Sequence, residues 1–260
     1  MRFDIITLFP ELFAPVLTHG INRRAFESRQ VDVRLWPLRD YAEGNYRRVD
    51  DRPFGGGPGM VMLADPLWRC RQAILAERDD AQTVPTVLFS PLGERIAHPV
   101  VERFSVGEGA ILVCGRYEGI DQRFIDACVD IQLSLGDFVL SGGEIPAMAL
   151  LDAVARLQPG VLNDAGSHQQ DSFNPALDGL LDCPHYTRPE VWSGPDGDVP
   201  VPPVLLSGNH AQIEGYRRQQ RLQVTARWRP DVLEQVRARG GLSRQDETRL
   251  RETGLDGALR

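Results

Sequence analysis

Short apolar segments alternate with helix-like segments through the first 157 residues of the chain, and this alternation limits the fold more than any other feature. Buried strands are predicted at 3–8, 31–36, 84–89, 110–114 and 131–135. Helices are predicted from Pro10 onward and at 65–78, 99–104, 119–129 and 144–157. Strands that alternate with helices in this way predict an α/β fold built on a parallel sheet.

The pattern changes beyond residue 157. Residues 160–175 are polar, rich in Gly, Asn and Asp, and without periodicity, which predicts a mobile linker. Polar helices are predicted within 209–252, and a Pro- and Gly-rich surface loop at 195–203. The expected organisation is a first domain at 1–160, a flexible linker at 161–175 and a mostly helical domain at 176–260.

The composition excludes several classes of chemistry. All 29 basic residues are arginines, so Schiff-base chemistry and a phosphate-binding P-loop lysine are impossible. The four cysteines form no C-x-x-C pair and the five histidines show no metal-ligand spacing, so no metal site is predicted. The cysteines are expected to be buried, reduced thiols, which are Cys70, Cys114, Cys128 and Cys183.

The charge is distributed unevenly along the chain. Residues 1–210 hold 18 arginines against 29 acidic residues, whereas residues 211–260 hold 11 against 7. A basic tail on an acidic body suits contact with nucleic-acid phosphates, and a solvated helix face explains it equally well. No segment approaches the ~20 apolar residues of a membrane span, and Asp4 interrupts any secretory signal, so a cytoplasmic protein is expected.

Glycine-bearing loops follow three of the predicted strands directly. They cover residues 90–93, 114–121 and 134–144. Ligands bind at the carboxyl ends of strands in open α/β sheets, and glycines let the backbone approach a ligand closely. We therefore expect one ligand pocket from the three loops. A fourth glycine-rich loop, 55–59, follows no clear strand; it is interpreted as a phosphate-binding lid or as a mobile loop.

Polar residues cluster farther along the chain. Arg156 ends the long apolar helix, Asp171 and Ser172 lie in the predicted linker, and a dense polar segment covers 181–189. A carboxylate on a loop can act as a general base, and a nearby guanidinium can polarise a carbonyl oxygen. Spacing alone leaves open whether these groups meet.

At these motifs the chain resembles the bacterial tRNA (guanine-N1)-methyltransferases of the SPOUT class. The matching strings are FDIITLFPELF, DDRPFGGGPGMVM, CGRYEGID, DFVLSGGEIPAM, DSF, LLDCPHYTRPEVW and VPPVLLSGNHA. The resemblance implies a parallel sheet with a deep C-terminal trefoil knot, followed by a small helical C-terminal domain. It also implies S-adenosylmethionine as methyl donor, magnesium dependence, and a homodimer whose active sites are shared between chains. The implied target is N1 of the guanosine at tRNA position 37, just 3′ of the anticodon.

The resemblance also implies roles for individual residues. Asp171 would be the general base, with Arg156 assisting. The implied tRNA contacts are Asp51, Arg52, Ser172, Asp182, His185 and Arg188. The implied donor-binding residues are Ser90, Pro91, Gly93, Gly115, Tyr117, Glu118, Gly119, Ser134, Leu135, Gly136, Phe138, Leu140, Gly142, Gly143 and Pro146. Family members usually carry Ile and Tyr where this chain has Leu135 and Phe138, so any hydrogen bond from that tyrosine hydroxyl is lost here.

Two alternatives remain open from the sequence. A non-catalytic RNA-binding protein could keep this fold, although the presence of both Asp171 and Arg156 favours an enzyme. A related methyltransferase could act on a ribose 2′-hydroxyl or on ribosomal RNA, although the DSF and HYTRP strings favour the guanine-N1 activity.

Overall fold

Five parallel strands form the main sheet of the first half of the chain. The computed structural model describes residues 1–162 and 168–254. Its first seven strands are β1 (Arg2–Thr7), β2 (Asp32–Pro37), β3 (Asp50–Asp51), β4 (Val61–Met62), β5 (Thr86–Arg95), β6 (Gly109–Val113) and β7 (Ile131–Ser134). The main sheet has the order β2-β1-β6-β5-β7 with every pair parallel, which confirms the predicted sheet.

Helices cover both faces of this sheet. They are α1 (Ala14–Thr18), α2 (Arg23–Glu27), α3 (Ala64–Ala76), α4 (His98–Ser105), α5 (Gln122–Cys128) and α6 (Glu144–Arg156), with 3-10 helices at Pro10–Phe13 and Leu38–Tyr41. One core cluster joins α4 and α6 to the sheet, and a second joins α3 and α5 to its other face. Because both faces are covered, all five residues of β6 are buried and apolar or glycine.

A buried network of ion pairs connects β1 to the segment that directly follows α3. Asp4 is fully buried and accepts hydrogen bonds from Trp36 Nε1 (2.8 Å) and Arg78 Nη1 (2.6 Å). Arg78 also binds Asp80, and burial works against the charge of this guanidinium while the two carboxylates raise its pKa. A buried charge is tolerated when it is paired in this way.

The chain divides into two compact units, Met1–Asn163 and Asp164–Arg260. In the described part of the second unit the elements are 3-10 helices at His168–Gln170 and Pro175–Leu177, strands β8 (Val191–Gly194) and β9 (Gly197–Pro200), and helices α7 (Pro203–Leu206), α8 (His210–Trp228), α9 (Pro230–Ala238) and α10 (Arg244–Glu252). Leu180 joins the core between α8, α9 and α10. Residues 163–167 of the predicted linker lie outside the described residues, and the mobility expected for 160–175 stays a prediction.

Three local predictions were wrong. Residues 90–93 were expected as a loop after a strand, but they lie within β5. They form an irregularity in its pairing with β7, because Leu133 pairs both with Phe89 before them and with Glu94 after them. The predicted loop at 195–203 contains β9, which pairs with β8 as a hairpin whose side chains are nearly all exposed. The glycine-rich loop 55–59 was expected to follow no clear strand, but it lies between β3 and β4, which pair with each other.

Among the described residues, no helix combines the length and the apolar character that crossing a membrane requires.

Candidate functional site

A cavity of about 280 Å³ opens at the carboxyl ends of β6 and β7, beside residues 88–91 of β5. These three strands are neighbours in the sheet, so the loops that follow β6 and β7 meet the irregular part of β5. Parallel sheets place their ligand sites at this edge. The cavity therefore lies where the three glycine-bearing segments were expected to converge.

Of the fifteen residues that the resemblance implies for the donor site, fourteen line this one cavity. They are Ser90, Pro91, Gly115, Tyr117, Glu118, Gly119, Ser134, Leu135, Gly136, Phe138, Leu140, Gly142, Gly143 and Pro146. Gly93 does not line it, because its Cα faces the backbone of Gln132 and Leu133 so closely that no side chain fits. Gly93 therefore lets β5 lie against β7 behind the cavity wall.

The loop after β6 and the loop after β7 cross in close contact, where Gly115 meets Gly143. Gly143 N–H donates to the carbonyl of Gly115 at 3.0 Å. A Cβ on Gly143 would stand 2.7 Å from Cys114 Cα, which is closer than two carbon atoms approach. The crossing therefore requires glycine for reasons of space, although Gly143 itself has an ordinary φ of −80°.

A buried carboxylate lies behind this crossing. Glu144 is 1% exposed and binds the guanidinium of Arg116, whose Nε donates to Glu144 Oε2 at 2.9 Å. The hydroxyl of Thr7 donates to the other oxygen of Glu144 at 2.8 Å. Each of the three lies in one of the matching strings, but none was predicted as a site residue, because their contacts join segments that are far apart along the chain.

Tyr117 occupies the left-handed region of φ, at +60°, in the wall of the cavity. Burial raises the pKa of its hydroxyl, the neighbouring Asp50 carboxylate raises it further, and Arg39 acts in the opposite direction. Asp50 and Arg39 were not predicted as site residues. Neither residue lines the cavity.

The glycine-rich loop 55–59 ends beside this wall. Glu118 N–H donates to the carbonyl of Met60 and Met62 N–H donates to the carbonyl of Gly119, both at 2.9 Å. The tip is different, because Gly55, Gly56 and Gly57 have positive φ and open space around each Cα. The loop is thus fixed at its base and surrounded by solvent at its tip.

Asp51 and Arg52 lie at the other end of this loop. Asp51 accepts a hydrogen bond from Arg52 N–H at 2.8 Å and approaches Arg48 Nη1 at 3.4 Å. The side chain of Arg52 is exposed.

In the second unit, the residues around Asp171 are held by backbone hydrogen bonds. Asn174 N–H donates to the carbonyl of Asp171 at 3.2 Å, and Phe173 N–H donates to the carbonyl of Leu180 at 3.0 Å. Ser172 Oγ accepts from Asp182 N–H at 2.9 Å. The structure thus brings Asp182 against Ser172, which lies ten residues earlier in the chain and directly follows Asp171.

Asp182 is the centre of a small polar cluster. Its carboxylate accepts from Cys183 N–H at 2.7 Å and lies 2.8 Å from His185 Nε2. Burial raises the pKa of Asp182, but the hydrogen bonds from Cys183 and His185 outweigh it and the net shift is downward. Arg221 Nε is buried and lies 3.6 Å from Asp182 Oδ1. Arg188 is exposed.

Arg156 and Asp171 lie in different units. Arg156 is the last residue of α6 and is half-buried, and Asp171 is half-buried in the second unit. Their predicted cooperation therefore stays a prediction.

The basic tail is partly neutralised within its own unit. Arg218 pairs with Asp178 and Asp246, Arg229 with Asp231, and Arg237 with Glu247. Within the described part of the chain, no ion pair forms at Arg217, Arg227, Arg244, Arg249 or Arg251. Arg239 also forms no ion pair there, and its guanidinium donates to the backbone carbonyl of Asp178. These arginines carry the charge that is not neutralised within the unit.

No group of three or more His, Cys, Asp or Glu side chains could hold a metal ion in the ranges 1–162 and 168–254. The four cysteines are buried and unbridged, as expected. Burial raises the pKa of the Cys114 thiol beside the cavity, so it is a packing group rather than a nucleophile.

Comparisons with known proteins agree on one family. The family model described as tRNA (Guanine-1)-methyltransferase TrmD matches residues 1–235. A protein from Paracidovorax citrulli named tRNA (guanine-N(1)-)-methyltransferase is 68% identical over 261 residues, covering 100% of both chains. Proteins of the same name from Polaromonas sp. and Bordetella pertussis are 67% and 53% identical, covering 96% and 95% of each chain.

We expect Gly143→Ala to lower the free energy of unfolding by about 2 kcal/mol, because the added methyl group overpacks the crossing at Cys114. Urea denaturation followed by circular dichroism measures the change. Gly215→Ala is the matched control: Gly215 lies within α8 with nothing near its Cα, so alanine there should stabilise by about 0.5–1 kcal/mol. Equal stability of Gly143→Ala and the unsubstituted protein would contradict the crossing.

Proposed function

Since the chain belongs to the tRNA (guanine-N1)-methyltransferase family and is an enzyme, we propose that it methylates N1 of the guanosine at tRNA position 37, with S-adenosylmethionine as donor. The observation that supports this proposal most is the convergence of fourteen expected donor-binding residues on one cavity. Relatives that share the enzyme name over the full chain weigh against a non-catalytic RNA-binding protein and against a ribose or ribosomal target.

The residues of the cavity fit the methyl donor. Gly115, Gly119 and Gly136 bring backbone directly into the wall of the cavity, and N–H and C=O groups at such positions suit recognition of an adenine edge. Leu88, Ile120 and Leu133 supply apolar surface for the faces of the base. Bound donor supplies a methyl group made electrophilic by its positively charged sulfur.

Asp171 is proposed as the general base. N1 of guanine carries a proton at neutral pH and is a weak nucleophile, so Asp171 takes this proton as the bond between N1 and the methyl carbon forms. Arg156 is proposed to lie against O6, where its guanidinium stabilises the negative charge that develops as the proton leaves. The methyl–sulfur bond breaks in the same step, and its electron pair stays on sulfur.

The remaining polar residues are proposed as tRNA contacts. Asp182 and Ser172 bind each other directly, so they present one surface beside Asp171. Exposed His185 and Arg188 extend this surface. Asp51 and Arg52, which precede the glycine-rich loop in the first unit, are proposed as separate contacts. Cationic and hydrogen-bonding groups of this kind position RNA through its phosphates and base edges.

We also propose that the cavity loops form the trefoil knot implied by the resemblance. The close crossing of Gly143 with Cys114 and Gly115 supports it, because threaded segments must pass without side chains between them. True knots are rare in proteins, so a knot would be a distinctive feature of this family.

A homodimer with shared active sites is proposed as the functional form. An apolar face of the first unit supports it: Phe9, Leu12 and Ile145 are between 43% and 53% exposed, and the 3-10 helix at Pro10–Phe13 packs against α6. Exposed apolar residues grouped in this way are typical of contact with another chain.

The magnesium dependence implied by the resemblance has no matching ligand cluster in the described residues, so no step of the mechanism is assigned to the ion. The cytoplasmic location expected from the sequence stays a prediction.

The substrate is tested with two unmodified tRNA transcripts that differ only in having guanosine or adenosine at position 37. We expect N1-methylguanosine from the first transcript alone, because only guanine presents N1–H beside O6. Nucleoside analysis after digestion identifies the product. Methyl incorporation that does not depend on this guanosine would refute the substrate assignment.

Asp171→Asn should abolish transfer and leave donor binding intact, because the amide cannot take the N1 proton; removing a general base costs about 10²–10⁴-fold in rate. Single-turnover transfer and calorimetry with S-adenosylmethionine measure the two effects. Asp198→Asn, on the exposed β9, is the control and should behave as the unsubstituted enzyme. Near-normal turnover by Asp171→Asn would exclude Asp171 as the base.

Mixing two inactive variants tests the shared site. Leu140→Trp fills the cavity and Asp171→Asn removes the base, so each alone should be inactive. In a mixed dimer, a site shared between chains would combine the intact cavity of one chain with the intact Asp171 of the other. We expect activity to return after co-expression of the two chains. Continued inactivity, with mixed dimers demonstrated by mass spectrometry, would place each site within one chain.

A further inference from the structure

The guanidinium of Arg116 is held from three directions in the cavity wall. Its Nε donates to Glu144 at 2.9 Å, its Nη1 donates to the carbonyl of Ser141 at 3.3 Å, and Phe9 lies under it with 4.6 Å from Cζ to the ring centroid. Arg116 and Ser141 both line the cavity, but they belong to different loops. One side chain thus joins the loop after β6 to the loop after β7.

Glu144 and Thr7 complete this connection without lining the cavity. Glu144 is the first residue of α6, and Thr7 is the last residue of β1. The Thr7 hydroxyl accepts from Phe9 N–H at 3.0 Å, so its own proton is directed to Glu144 Oε1 at 2.8 Å. Both oxygens of the buried carboxylate therefore have fixed donors.

Gly142 shows how closely this pair fits the crossing. A Cβ on Gly142 would meet the Arg116 side chain and would stand 2.6 Å from Glu144 Oε2. The ion pair therefore occupies the space that a side chain at 142 would need, and it fixes the separation of the two loops.

We propose that Thr7 and Glu144 are positioning residues for the methyl donor, which act through Arg116 to set the distance between the two cavity walls. The proposal rests on the donor site described above and adds two residues that do not touch the donor. Buried charge-assisted hydrogen bonds have nearly fixed geometry, so their loss lets the walls separate.

A purely structural role predicts something different. If the pair only stabilised the fold, its loss would lower the melting temperature, and the folded molecules would still bind the donor normally. A positioning role predicts weaker donor binding by fully folded protein. The two roles are therefore separated by an affinity measured well below the melting temperature.

The main variants are Glu144→Gln, which keeps the shape and removes the charge, and Thr7→Val, which keeps the shape and removes the hydroxyl. We expect the dissociation constant for S-adenosylmethionine to rise about tenfold or more for Glu144→Gln, the loss associated with a charged hydrogen bond. Thr7→Val should raise it less, because the ion pair with Arg116 remains. Calorimetry measures both, after circular dichroism has established the folded state.

Three further proteins serve as controls. Thr7→Ser retains the hydroxyl and should bind the donor normally. Thr18→Val removes an exposed hydroxyl that bonds only within its own helix and to His19, so it should also bind the donor normally. In steady-state assays, Glu144→Gln should raise KM for the donor more than it lowers kcat. The double variant Arg116→Gln with Glu144→Gln should bind no more weakly than Arg116→Gln alone, because the pair acts as one unit.

Normal donor affinity in folded Glu144→Gln and Thr7→Val would overturn the positioning role and leave the proposed function unaffected. Absence of donor binding by the unsubstituted protein would instead remove the proposed function, and the positioning role with it.

Discussion

The first unit depends on one close crossing of backbone, where Gly142 and Gly143 pass Cys114, Gly115 and Arg116. Neither glycine can carry a side chain, because Cys114 and the Arg116–Glu144 pair fill the space. An α/β sheet normally leaves the loops at its carboxyl edge free to vary. Here two of these loops are fixed against each other, so the cavity between them has its shape before any ligand enters.

The sequence predicted the parts of this arrangement that have a local signal. The parallel sheet follows from apolar runs such as β6, and the cavity loops follow from glycines placed directly after strands. The family prediction is confirmed by the match over residues 1–235. These predictions succeed because both signals are local: the periodicity of apolar residues and the position of a glycine can be recognised within a few neighbouring residues.

Other features have no local signal and could not be predicted. Thr7 and Glu144 are 137 residues apart, and Glu144 resembles any acidic residue in the first turn of a helix. The hairpin of β8 and β9 was missed because nearly all of its side chains face solvent, so no alternation of apolar and polar residues marks it. The irregularity at 90–93 depends on how β7 pairs with β5, which the sequence of β5 alone does not contain.

The ion pairs of Arg218, Arg229 and Arg237 have a consequence for selectivity. The chain carries a net charge of −7, and several of its tail arginines are already neutralised by neighbouring acids. A polyanion is therefore repelled at long range by the net charge and attracted where arginines without an ion pair, such as Arg217, Arg227, Arg244, Arg249 and Arg251, come near its phosphates. Unrelated RNA gains little from such a surface, since indiscriminate binding depends on bulk positive charge. Discrimination against the large excess of other cellular RNA thus begins before any base is read.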